Sequence, residues 1–278
     1  MLHEVITFLS LALSPTLAPG AKPPPPVVAV VPPAPTSTGA TTPTVPATPT
    51  VPATPTGSTV PAPSSSAADE LVGKVQAFYA GVAQVTAKFR QEVTNVTFGD
   101  TKLSDGKLFI SKPGKMRWDY YAKGAAKVTV KKSFISNGTY LYVVEHDNKQ
   151  VIKKNLEQDL MPVAVSFLYG KGDLRTDFTA AIETGSKYGG AGDTVLGLTP
   201  KKPSAQYKKL MLVVDPATHR VKESIIIDSA GNVNDFKFYE PDFEKAVKAS
   251  WFEFDEKSVK SYRIVDADAA DAAGSGAP

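Results

Sequence analysis

The sequence predicts a mostly β domain of the α+β class: an antiparallel meander of about 11 strands, with short helices covering one face of the sheet. Three observations predict it. Short runs with period-two apolar patterning succeed one another from Val85 to Phe254. Tight-turn chemistry separates them, at Lys112-Pro-Gly114, Asn137-Gly138, His146-Asp-Asn148, Asp215-Pro216 and Ala230-Gly-Asn232. Helical patterning occurs only before the first strand and once in the middle of the series.

Ser66-Ala-Ala-Asp69 reads as a capping-box-like start, followed by Leu71, Val75, Phe78 and Tyr79 on one helical face, with Gly81 as the stop. Period two then takes over at Val85, Ala87 and Phe89, with Thr86, Lys88, Arg90 and Glu92 opposite. Strands are expected over 106–111, 115–121, 127–136, 139–145, 149–153, 176–184, 193–198, 206–214, 220–228, 233–240 and 250–255. Between them, 155–174 is helical in flavour, with Pro162 placed to start a short helix and Gly170 to stop it. That helix and the first one are expected to close the concave side.

The chain divides by composition. Residues 1–20 read as an atypical signal segment: Val5 to Leu13 is apolar but too short to span a bilayer, and Glu4 stands where a signal carries a cation. Residues 21–66 read as a Pro/Thr/Ala-rich linker, since 16 of the 23 prolines lie between Pro15 and Pro63 and Thr-Val-Pro-Ala-Thr-Pro occurs twice in tandem from Thr44. Residues 67–266 are the foldable domain and 267–278 an unstructured tail. Export is the expected localisation, and the absence of cysteine excludes disulfides and an acylated N-terminal cysteine.

Catalytic chemistry is sparse. Of three histidines, His3 is in the leader and His146 and His219 fall in expected turns. No spacing reads as a metal site, no nucleophile elbow or phosphate loop is present, and the dispersed lysine pairs and net charge of +3 carry no nucleic-acid signature. The expectation is a non-enzymatic protein with no cofactor. What the chain has in excess is large apolar side chains on one strand face, as in Met116, Trp118 and Tyr120.

Several motifs, in order, resemble the LolA-type periplasmic lipoprotein carriers. They are Phe89-Arg-Gln91, Gly106-x-Leu-x-Ile-x-Lys-Pro-Gly114, Met116-Arg-Trp118-x-Tyr120, Ser136-Asn-Gly138, the run Phe167-Leu-Tyr-Gly-Lys-Gly-Asp-Leu174, Leu198-Thr-Pro-Lys201, Val213-Val-Asp215, Asp228-x-x-Gly231-Asn-x-x-x-Phe236 and Phe252-x-Phe254. The resemblance implies an unclosed antiparallel β-barrel, a curled sheet of about 11 strands, with short helices covering the concave face as a lid over an apolar cavity that holds the acyl chains of lipoproteins. As partners it implies an inner-membrane ATP-driven release complex and an outer-membrane acceptor, the carrier itself being a monomer. The family usually has Arg before the Pro-Gly turn; here it is Lys112, a point charge in place of a planar fork.

The expected acyl-chain lining is Leu108, Ile110, Met116, Trp118, Tyr120, Phe134, Tyr142, Phe167, Leu168, Leu212, Ile226, Phe236 and Phe238, with Lys112 and Arg117 as gating or partner contacts. At about 0.8 kcal/mol per buried CH2, one long chain contributes on the order of 11 kcal/mol. Transfer should then run directly into a tighter site, without release to water. Three other readings fit the same pattern: a carrier of another lipid, an envelope-stress sensor domain of the same fold, and a tethered envelope scaffold without a ligand. As a cavity-wall residue, Trp118 should tolerate replacement by Asp without unfolding.

Overall fold

The computed structural model describes residues 63–124, 127–156, 173–204 and 207–269. Helix α1 (Pro63–Gly81) opens the described chain. It starts a turn earlier than the capping-box reading, with Pro63 in the first turn, where a missing N–H costs no hydrogen bond. Its buried stripe is Ala68, Val72, Val75 and Tyr79, while Leu71 and Phe78 are only partly buried.

Twelve strands follow among the described residues: β1 (Gln84–Asn95), β2 (Asp100–Ser111), β3 (Lys115–Tyr121), β4 (Val130–Asn137), β5 (Tyr140–Glu145), β6 (Gln150–Asn155), β7 (Phe178–Ile182), β8 (Thr194–Pro200), β9 (Lys209–Val214), β10 (Val221–Ile227), β11 (Val233–Asp242) and β12 (Arg263–Asp266). A single turn of helix, α2 (Leu174–Asp177), precedes β7, capped by the Asp173 carboxylate. The strands form one open sheet in the order β12-β6-β5-β4-β3-β2-β1-β11-β10-β9-β8-β7. Neighbours in sequence are mostly neighbours in space, but β11 returns to lie beside β1 and β12 beside β6. All pairs are antiparallel except β12 with β6. Bulges at Thr86/Lys88, Tyr120/Tyr121 and Val221/Glu223 add local bend and twist.

Expected turn residues do the expected work. Asn137 Oδ1 accepts from Thr139 N at 3.0 Å and Tyr140 N at 2.9 Å, and Gly138 takes a φ of +101° that an L side chain resists. Ser136 Oγ donates to Gly114 O and accepts from Gly138 N, tying the β2–β3 and β4–β5 turns together.

One strand assignment is corrected and one strand is added. Residues 250–255 do not pair: Ala249–Phe252 is a 3-10 turn, in which Phe252 is fully buried while its neighbour Trp251 packs edge-on to Phe109 at 4.8 Å. Consecutive inward contacts of that kind are incompatible with strand alternation. Conversely, 263–266 is a strand, and Asp268 accepts a hydrogen bond from Asn155 N at 2.7 Å, so order extends past residue 266. The helix expected around Pro162 falls in 157–172, outside the described residues.

Candidate ligand-binding site

Strand parity decides which side chains share a face. From β1 it sends Val85, Ala87 and Phe89 to one side; from β2, Leu108 and Ile110; from β3, Met116, Trp118 and Tyr120; from β11, Phe236 and Phe238. Phe134, Leu212 and Ile226 join them, and the stripe of α1 packs on the same cluster. Thus ten of the residues expected to line the site converge in one continuous apolar cluster on the face that α1 covers.

Phe89 occupies the centre of that cluster, although it is missing from the expected lining. Its ring centroid lies 4.9 Å from Tyr120, 5.1 Å from Trp118 and 6.1 Å from Phe236. Gly106, directly across from it on β2, makes this arrangement possible: a Cβ there would lie 2.2 Å from Asp119 O and 2.4 Å from Phe89 Cζ. The signal is present in Phe89-Arg-Gln91 and Gly106-x-Leu, but only the cross-strand register joins them.

Three expected residues lie elsewhere or outside the described chain, and a fourth faces away. Tyr142 points to the convex face and stacks on Phe254 at 4.7 Å, because it alternates with the inward Leu141 and Val143. Arg117 alternates with Met116 and Trp118 and also faces the convex side. There both oxygens of Asp119 accept from its Nε at 2.9 Å, and its Nη1 donates to Trp251 O at 3.3 Å. Among the described residues its hydrogen bonds are to Asp119 and Trp251 and not to α1. Phe167 and Leu168 lie outside the described residues.

Polar contacts hold α1 over the cluster. Lys112 Nζ donates to Tyr79 O in the last turn of the helix, where a cation meets the negative end of the helix dipole. Burial holds the Lys112 ammonium below its usual pKa. Tyr79 Oη accepts from Val221 N at 3.1 Å, and burial pushes its phenol up to about 12. Near the other end of the helix, Arg175 Nη2 donates to Asp69 O at 2.9 Å, lying across Gly73, where a Cβ would collide with the guanidinium.

Beside α1 a half-open hollow of about 40 Å³ is lined by Tyr79, Val85, Ala87, Leu108, Ile110, Arg220, Val221, Phe238, Pro241 and Phe243. It has room for about one or two waters, against about 300–1,000 Å³ for a small-molecule pocket. The central lining residues are themselves buried, with Trp118 2% exposed and Tyr120 0%. Trp118→Asp would bury an unpaired charge there, which argues against the tolerance expected from sequence.

A family model described as "Outer membrane lipoprotein carrier protein LolA" matches residues 80–255. An outer-membrane lipoprotein carrier protein of Cupriavidus pinatubonensis is 29% identical over 142 residues, covering 49% of this chain and 61% of the relative. One of Legionella pneumophila is 24% identical over 192 residues, covering 69% of this chain and 86% of the relative. Among solved structures, an uncharacterized conserved protein of Thermus thermophilus is similar at a TM-score of 0.45 and 11% identity, covering 72% of this chain and 99% of that one.

Proposed function

The chain belongs to the LolA family of outer membrane lipoprotein carriers, and we propose that it binds the acyl chains of lipoproteins against the concave face of its sheet and carries them between membranes through the periplasm. The observation that carries this reading is the single apolar cluster running across the concave face under α1. A catalytic role has no support in the residues that converge there, which are aromatic and aliphatic.

In this reading binding is a displacement, with an acyl chain entering where α1 now packs. Val72, Val75 and Tyr79 contribute roughly 1.5–3 kcal/mol each when buried, about 6 kcal/mol together. A single long acyl chain returns on the order of 11 kcal/mol. The ligand therefore outcompetes the helix, and the helix closes again when the chain leaves. Lys112 sits where such a motion is controlled, since its contact with Tyr79 O exists only when α1 is down. In this reading loading is driven by an ATP-consuming inner-membrane complex, and an outer-membrane acceptor takes the cargo.

Native mass spectrometry of the full chain, purified from a periplasmic extract and followed by lipid extraction, tests the proposal. Acylated protein or peptide at near one-to-one stoichiometry is the expected result. Recovery of a glycolipid alone would replace the cargo, and a ligand-free chain that also ignores an added diacylated peptide would end the carrier reading.

A further inference from the structure

Within the apolar concave face lies a polar row that the binding of acyl chains alone does not require. Gln91 on β1 stands opposite Ser104 on β2 and Phe236 on β11, and Phe236 stands opposite Ser224 on β10. Asn234, one inward position along β11, lies beside them. Parity puts all four side chains on the concave side, in line with Phe89, Leu108, Phe236 and Ile226 of their own strands. They are buried: Gln91 0%, Ser104 2%, Ser224 2% and Asn234 5% exposed.

Their hydrogen bonding is incomplete. Gln91 Nε2 donates to Asn234 Oδ1 at 2.9 Å. Ser104 Oγ, Ser224 Oγ and Asn234 Nδ2 have no partner among the described residues. By contrast, Ser136 on β4 and Ser133 on the convex side both use their hydroxyls, on Gly114 O and Asp119 Oδ1. Buried donors without a protein partner among the described residues weaken the packing around them. A fold that needed only grease at these positions would be better served by Ala, Val or Leu.

We infer that Ser104, Ser224 and Asn234 form a recognition site for the ester carbonyl oxygens of a diacylglyceryl head, paired only when cargo is bound. This deepens the carrier reading and rests on it. The chemistry is specific. Two hydroxyls and one amide N–H are uncharged donors, suited to neutral carbonyl acceptors. They lie on β2, β11 and β10, with Asn234 and Ser224 on adjacent strands, so a head bearing more than one carbonyl meets separate donors of the row where a single carboxylate meets one. Meeting these donors sets the depth to which the acyl chains enter.

Three probes separate the possibilities: a dipalmitoylglyceryl-cysteine peptide, its dihexadecyl ether twin without carbonyls, and palmitic acid. Each is titrated into the full chain and into the Ser104→Ala/Ser224→Ala variant by calorimetry, with thermal melts as a folding control. The wild type should bind the diester about tenfold tighter than the diether, the scale of two net hydrogen bonds. The variant should melt no lower than wild type, bind the diether unchanged and lose the diester preference. Equal binding of the two twins by wild type, or a preference that survives in the variant, overturns the ester site while leaving the carrier standing. Serine dependence seen with palmitic acid and not with the diester overturns the ester assignment too. Binding of neither twin removes the carrier and this site together.

Discussion

The two faces of the sheet are written by the same alternation but finished in different ways. On the concave face one continuous cluster is covered by α1, which a handful of polar contacts hold in place. On the convex face the apolar residues break into two small groups, around Ile135, Val144, Val151 and Val259, and around Val195, Met211, Val213 and Ile225. Ion pairs surround these groups: Arg117 with Asp119, Lys88 with Glu240, Arg90 with Asp105, and Lys237 with Glu223 and Asp235. The cover over the first group leads directly into β12, which hydrogen-bonds to β6. The difference teaches where motion is tolerated. Removing the convex cover breaks backbone pairing as well as burial, whereas lifting α1 breaks burial and a few side-chain bonds.

Experiments can break this contrast, and the most severe is at Gly106. Gly106→Val places atoms against Asp119 O and the Phe89 ring, so a loss of about 4 kcal/mol is expected in urea unfolding. Unchanged stability would mean that the Phe89 ring does not cross β2. The two tryptophans sample the two faces. Trp118→Leu should cost about 3 kcal/mol and Trp251→Leu about 1 kcal/mol, since the first is buried among Phe89, Phe236 and Phe238 and the second only edges Phe109. In addition, an acyl ligand should shift the fluorescence of the Trp251→Phe variant and leave that of Trp118→Phe nearly unchanged. Equal responses would put the ligand on both faces or neither.

A subtler test uses pH. Burial, with the Glu223 carboxyl beside it, pushes Asp235 up to about 7. The folded state thus holds a proton that the unfolded chain releases near 3.8, the ordinary value. The associated stability is present below about pH 4 and is lost as pH rises through 7. Asp235→Asn should therefore raise the melting temperature by about 5 °C at pH 8 and leave it near wild type at pH 4, flattening the profile. A parallel profile would show that the pair with Lys237 already offsets the burial. The smallest global effect is expected at Lys112→Met, about 1 kcal/mol or less, but hydrogen exchange of residues 72–81 should accelerate while the convex segment 249–262 is unaffected.

Much of this is legible in the chain. Met116, Trp118 and Tyr120 share a face because period two leaves no other choice in a strand, and Asn137-Gly138 marks its hairpin because only such residues sit easily at positive φ. Tyr142 and Arg117 enter the expected site as residue types, against the parity of their own strands. Parity within β3 and β5 is enough to exclude both once Trp118 and Val143 are known to face inward. Helix α1 is readable in existence but not in rotation: the buried stripe is Ala68, Val72, Val75 and Tyr79, because the surface it meets, not its own hydrophobicity, chooses the face.

The sequence by itself determined a mostly β chain of short strands, their turns and the inward parity of most of the aromatic residues, because those depend on neighbours a few positions away. The tertiary structure alone decided that Phe89 lies over Gly106, that residues 263–266 pair in parallel with β6, and that Ser104, Gln91, Ser224 and Asn234 gather in one buried row. Each of these joins segments roughly 15 to more than 100 residues apart, with a register that no local pattern encodes. Register is set by the sum of packing over the whole curled sheet, and only the folded sheet carries that sum.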